Sequence, residues 1–161
     1  EQVLGIESQK VQDETLLELH EMELLRGRKP ETVAALEAHL EKRSYKAGEK
    51  IYSVGDRGDR LFLIRSGSVN MMLPSAGTTG HHLATYGRGD FFGGLSFLDG
   101  QQRGNEAIAQ TDTELYLLRR EAFDLLKQQH RLFAHNLIEA IARVLSMRLR
   151  YDDMELAALR D

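Results

Sequence analysis

The chain has no cysteine among its 161 residues. Disulfide staples, thiolate catalysis and zinc–thiolate sites are therefore excluded, and the composition suits a reducing cytoplasm. Long apolar runs are also missing. Stretches such as Leu61-Phe62-Leu63-Ile64 last only a few residues, far short of the roughly 20 needed to cross a bilayer. No signal-peptide pattern opens the chain, and its first residue is Glu1 rather than methionine, as expected of a piece cut from a longer protein. An excess of positive charge is absent too. Lys and Arg number 21 against 25 Asp and Glu, for a net charge of −4, which argues against a broad nucleic-acid surface. The basic residues Arg143, Arg148 and Arg150 gather near the end. What remains is enough chain for one domain with a real core and helical flanks.

The patterning divides the chain into three zones, with no internal repeat. Residues 1–43 read as helical, with Leu16, Leu19, Met22, Leu24 and Leu25 at roughly helical spacing. Gly27 breaks that pattern. Pro30 suits the first turn of a second helix that places Val33, Leu36 and Leu40 on one face. Residues 44–118 read as short strands punctuated by Gly and Asp turns, at Gly48, at Gly55-Asp56-Arg57-Gly58-Asp59, at Ser66-Gly67 and at Gly87-Arg88-Gly89-Asp90. Ser66-Gly67 has the look of a tight turn between paired strands. Strands this short and this evenly spaced predict a closed roll or barrel. Residues 119–151 return to helix. Leu137, Ile138, Ile141, Val144, Leu145 and Leu149 form an apolar stripe, and the charged tail 152–161 is expected to fray. The fold class is thus mainly β, an eight-stranded antiparallel roll of the jelly-roll kind between N-terminal and C-terminal helices.

The stretch Phe91-Phe92-Gly93-Gly94-Leu95-Ser96-Phe97-Leu98, followed by Arg103, carries the chemistry. A glycine-rich turn leads into a short apolar segment, whose backbone N–H groups favour an anion. A single arginine follows and suits a phosphate by charge-assisted, often bidentate pairing. Candidate binding residues are Gly93, Gly94, Leu95, Ser96, Arg103 and Gly104. Arg103 could also be an ordinary surface arginine, and Glu106 could pair with it and compete with a phosphate. Asp56, Asp59 and Asp90 read as turn caps. His81 and His82 are neighbours on a strand and point to opposite faces, so they do not share a metal. No Ser/His/Asp set, carboxylate pair or metal cluster suggests an enzyme, and no catalytic residues or required cofactor are expected.

From residue 20 to about residue 150, the chain resembles the cyclic nucleotide-binding domain family. The resemblance is carried in order by Gly48-Glu49-Lys50-Ile51-Tyr52, Gly55–Ile64, Ser66-Gly67-Ser68-Val69, Gly89-Asp90-Phe91-Phe92-Gly93 and Arg103. It implies that the amides of Gly93, Gly94, Leu95 and Ser96 and the guanidinium of Arg103 receive a cyclic phosphate. It also implies a glutamate two residues after the cassette phenylalanine, which accepts a hydrogen bond from the ribose 2′-hydroxyl. That position is Gly94. Gln102 and Gly104-Asn105 depart from the family pattern as well. A hydrogen bond to a charged group is worth about 1.5–3 kcal/mol, so its loss weakens binding roughly ten- to hundredfold. Ordering a Gly-Gly pair costs about 0.5–1 kcal/mol more. The expectation is weak binding of cAMP, cGMP or a simple anion, or none.

The flanks Leu19–Arg28, Thr111–Tyr116 and Arg148–Tyr151 look like those of the C-terminal domain of bacterial sulfate-permease-family (SulP) anion transporters. That resemblance implies a regulatory module inside a transporter polypeptide, cytoplasmic and tethered to the inner membrane, with residues 1–18 as a linker and 19–151 as the domain. The alternative role is a ligand-independent dimerisation or docking module, with a homodimer through the C-terminal helix. No helix-turn-helix follows that helix, so no nucleic-acid partner is expected.

Overall fold

Gly and Asp turns cut the middle of the chain into short strands, two of which, Arg60–Ser66 and Thr113–Arg119, are buried on both faces, and this decides where the layers lie. The structure, a computed structural model, describes residues 19–76 and 80–160. The expected linker 1–18, Leu16 and the last residue lie outside these, as does part of the loop 74–80. Two 3-10 turns, Leu19–Glu21 and Glu23–Leu25, precede helix α1 (Pro30–Glu37). The strands are β1 (Leu40–Tyr45), β2 (Lys50–Tyr52), β3 (Arg60–Ser66), β4 (Ser68–Leu73), β5 (His81–Gly87) and β6 (Phe91–Phe92). Helix α2 (Gly94–Asp99) comes next, then β7 (Glu106–Ala109) and β8 (Thr113–Arg119). Helices α3 (Arg120–Gln129) and α4 (Arg131–Arg160) complete the described chain.

The eight strands form two four-stranded antiparallel sheets, in the orders β1-β8-β3-β6 and β2-β7-β4-β5. One apolar cluster fills the space between them and includes Phe62, Ile64, Val69, Phe92, Leu115 and Leu117. Alternate residues of the same strands, Leu61, Leu63, Tyr116 and Leu118, face outward and join a second cluster under the helices with Phe97, Phe123, Leu137 and Ile141. The run Leu61-Phe62-Leu63-Ile64 is continuous in sequence because its strand is covered on both sides.

Three expectations need correction. The roll begins at Leu40 and not at residue 44, since Leu40 pairs with Leu118 on β8; the ladder outweighs the helical spacing that links it to Leu36. Ser66-Gly67 does not join paired strands, because β3 and β4 lie in different sheets. Gly67 (φ 90°) is the crossing point, where a Cβ would come within 2.5 Å of Asp112 O and Thr113 Oγ1. The charged tail does not fray, as α4 runs on to Arg160.

Candidate functional site

Gly93 adopts a left-handed conformation (φ 81°, ψ 12°) and opens α2. Only glycine holds this backbone without strain, and a Cβ there would lie 2.8 Å from Arg103 Nη1. Ser96 and Phe97 are buried, whereas Leu95 is 68% exposed. Gly104 is exposed, with open space around it.

Arg103 is only 3% exposed, so it is not an ordinary surface residue. The turn 55–59 positions it through the backbone: Gly55 N donates to Arg103 O and Arg103 N to Asp56 O, each at 2.8 Å. Asp56 keeps that turn in shape by accepting from Ser53 N at 2.9 Å, and Asp90 does the same for Gly87 N at 2.9 Å. Gly58 lets the turn touch α2, since a Cβ there would overlap Ser96. The guanidinium donates from Nη1 to Gly93 O at 2.8 Å and from Nη2 to Arg60 O at 2.5 Å. It lies over the Tyr52 ring, 4.3 Å from the centroid. Its Nε is buried without a hydrogen-bond partner. Asp59 and Asp56 act on it only through space. Burial is the main influence on Arg103 and pulls its pKa below the usual value. Burial likewise pushes the Tyr52 phenol up to about 12, against the pull of Arg103. The Tyr52 hydroxyl donates to Asn105 Oδ1 at 3.4 Å.

Glu106 does not compete for the arginine. It pairs with Lys50 at 3.0 Å. An open cleft of about 360 Å³ lies behind α2, between Arg57, Asp59, Ser96 and Arg120, and does not include Arg103. His82 bonds to Thr85 at 2.7 Å, and among the described residues no cluster of potential ligands could hold a metal. No helix among them is long and apolar enough to cross a membrane.

Gly94 is buried and helical, not the loose member of a flexible pair. A Cβ at this position would stand 3.1 Å from Phe91 Cε2, 3.2 Å from Ile141 Cγ2 and 3.5 Å from Leu145 Cδ1. Helix α4 therefore lies directly on the cassette. Arg148 extends that contact by donating from Nη2 to Phe91 O at 2.8 Å. Its guanidinium sits 4.1 Å from the Tyr86 ring centroid and 4.4 Å from that of Phe91. Tyr52, Asn105 and Arg148 were not legible as site residues. The one signal for Arg148 is its place in the line Ile141, Leu145, Arg148, a charge standing on the apolar stripe.

The family model for the cyclic nucleotide-binding domain matches residues 42–130. The Cyclic AMP receptor protein of Thermus thermophilus is 38% identical over 136 residues, which is 84% of this chain and 61% of that protein. The N-terminal domain of a transcriptional regulator from Streptomyces coelicolor has a TM-score of 0.70 at 26% identity, covering 80% of this chain and 92% of that one. A cyclic nucleotide-binding domain from Methylobacillus flagellatus has a TM-score of 0.78 over 90% of this chain and 82% of its own, and at 23% identity it supports the fold alone. This chain spans about three fifths of the curated Thermus relative.

Proposed function

Because the chain belongs to the cyclic nucleotide-binding domain family, we propose that it is a regulatory module whose Arg103 site takes a phosphate-bearing ligand with weakened affinity. That ligand is cAMP, cGMP or a simple anion. The single observation behind this reading is the buried guanidinium of Arg103, which donates to two neutral carbonyls and carries an unpaired Nε. A phosphate oxygen supplies the charge-assisted partner that the fold does not. The name of the Thermus relative supports a cyclic nucleotide. The weakness follows from Gly94, which offers no acceptor to a ribose hydroxyl.

Calorimetric titration of the full chain with cAMP, cGMP and inorganic phosphate tests the reading. Dissociation constants of roughly 10–100 μM are expected, one to two decades weaker than an ordinary micromolar binder at about 1.4 kcal/mol per decade. Arg103→Met should abolish the heat while the chain stays folded, at a cost of about 1–3 kcal/mol for the carbonyls of Gly93 and Arg60 left without their donor. Low-micromolar binding by the unmodified chain would overturn the weakened affinity. Absence of any heat at ~10 mM ligand, on the same scale, would overturn the site.

The flank resemblance supports the finer assignment to a sulfate-type membrane anion transporter. This module is then its cytoplasmic C-terminal regulator in the same polypeptide, held at the inner membrane. An upstream reading frame without membrane-spanning segments would reject that assignment. A second reading, a dimerisation module indifferent to ligand, is favoured by the exposed Met147, Leu149, Tyr151 and Met154 on α4.

A further inference from the structure

We propose that Gly94 and Arg148 form a latch that holds α4 closed on the cassette without any ligand. Ile141, Leu145 and Arg148 follow one another at i, i+4 and i+7, so they share one face of the helix and span about 10 Å of its length. All three meet the segment Phe91–Gly94. Ile141 is fully buried, and its Cγ2 lies 3.2 Å from where a Cβ on residue 94 would be. Leu145 Cδ1 stands 3.5 Å from the same point. The missing side chain is thus the space in which the helix sits. One turn further along, Arg148 is clasped between the Tyr86 and Phe91 rings and donates to Phe91 O at 2.8 Å.

The same short segment is gripped from its other end by Arg103, which donates to Gly93 O at 2.8 Å. Phe91 O and Gly93 O are two residues apart, so the cassette backbone lies between two guanidinium groups, one from the roll and one from α4. A Cβ at position 94 would press on the Phe91 and Ile141 side chains by a few tenths of an ångström, and a longer side chain would have to displace them from the cassette. Glycine here serves closure. The latch stands whether or not the Arg103 site binds anything.

Hydrogen exchange of the full chain, followed by mass spectrometry, tests this. Without ligand, amides 138–149 should exchange at least about 100-fold more slowly than in an unstructured peptide, and ~1 mM cAMP should change them by less than about twofold. Gly94→Leu and Arg148→Ala should each speed exchange in that segment by roughly tenfold or more, leaving β3 and β8 as slow as before. Arg148 is partly exposed, so its variant folds and decides the matter even if Gly94→Leu does not. Free exchange of 138–149 that slows only when cAMP is added overturns the latch, as does an Arg148→Ala chain unchanged in that segment. Failure of the titration described above removes the ligand and leaves this result standing.

Discussion

Burying a guanidinium costs several kcal/mol unless its donors are matched, and Arg103 is matched only in part. Two carbonyls accept from it, a tyrosine ring lies beneath it, and Nε has no partner. Tyr52 shares the same dry surroundings, being 4% exposed. Its phenol stays neutral in the folded chain up to about 12, against a usual 10.0, mainly because burial disfavours the phenolate. The unfolded chain therefore loses this proton first as pH rises. The stability that Tyr52 contributes is complete below pH 10, declines above it and is gone past about 12. The loss should amount to about 1.4 kcal/mol by pH 11 and roughly 3 kcal/mol in all. Urea unfolding of the wild type and Tyr52→Phe at pH 9 and pH 11 isolates it: the wild type's advantage should shrink by that amount. A constant difference between the two would show that Tyr52 ionises freely in the folded chain.

At the scale of elements, the turn chemistry was the most legible part of the sequence and the pairing of strands the least. The turns at 55–59 and 87–90 were read from their Gly and Asp residues, and both are held by the aspartates expected to cap them. Ser66-Gly67 gave the same local signal as a hairpin, yet the chain crosses there from one sheet to the other. Local residues specify a sharp turn, while the choice of partner is made by strands far away in sequence. Leu40 misled for a related reason, its spacing being helical and its ladder with β8 decisive. Cassette, arginine and missing acidic side chain were all readable in the candidate site. The reason for the glycine was not, because Ile141 and Leu145 reach it from 47 and 51 residues away. The crossing at Gly67 yields a sharp comparison. Gly48 and Gly67 both have positive φ, but a Cβ at Gly48 meets nothing, and one at Gly67 meets backbone at 2.5 Å. Gly48→Ala should cost about 1–2 kcal/mol from its left-handed backbone alone. Gly67→Ala should cost at least about 2 kcal/mol more, since backbone on a packed strand cannot move aside cheaply. Denaturant midpoints of the two variants at equal slope read the difference, and equal midpoints would show that the crossing can relax.

On the scale of the whole molecule, α4 is longer than the roll can cover. Its first half is anchored by Phe133, Ala134, Leu137 and Ile141, all buried, and its middle by Arg148. From Tyr151 to Arg160 every residue is exposed. That segment carries Tyr151, Met154, Leu156 and Leu159, between 62% and 83% exposed. A helical stretch of about ten residues has little stability of its own in water, and apolar side chains on it gain nothing from solvent. Met147, Tyr151, Met154 and Ala158 alternate at spacings of four and three, the seam by which two helices pack. A second copy of this chain, laid along that seam, supplies the cover that the roll cannot. The latch sharpens the expectation, because α4 is already fixed in direction before any ligand arrives. Light scattering should therefore give about twice the chain mass of 18.3 kDa, unchanged by cyclic nucleotide. The double substitution Tyr151→Glu and Met154→Glu should yield a monomer while leaving exchange at 138–149 slow, because the contacts that fix that segment belong to its own roll. A monomeric wild type would leave the seam without an occupant and remove the dimer reading.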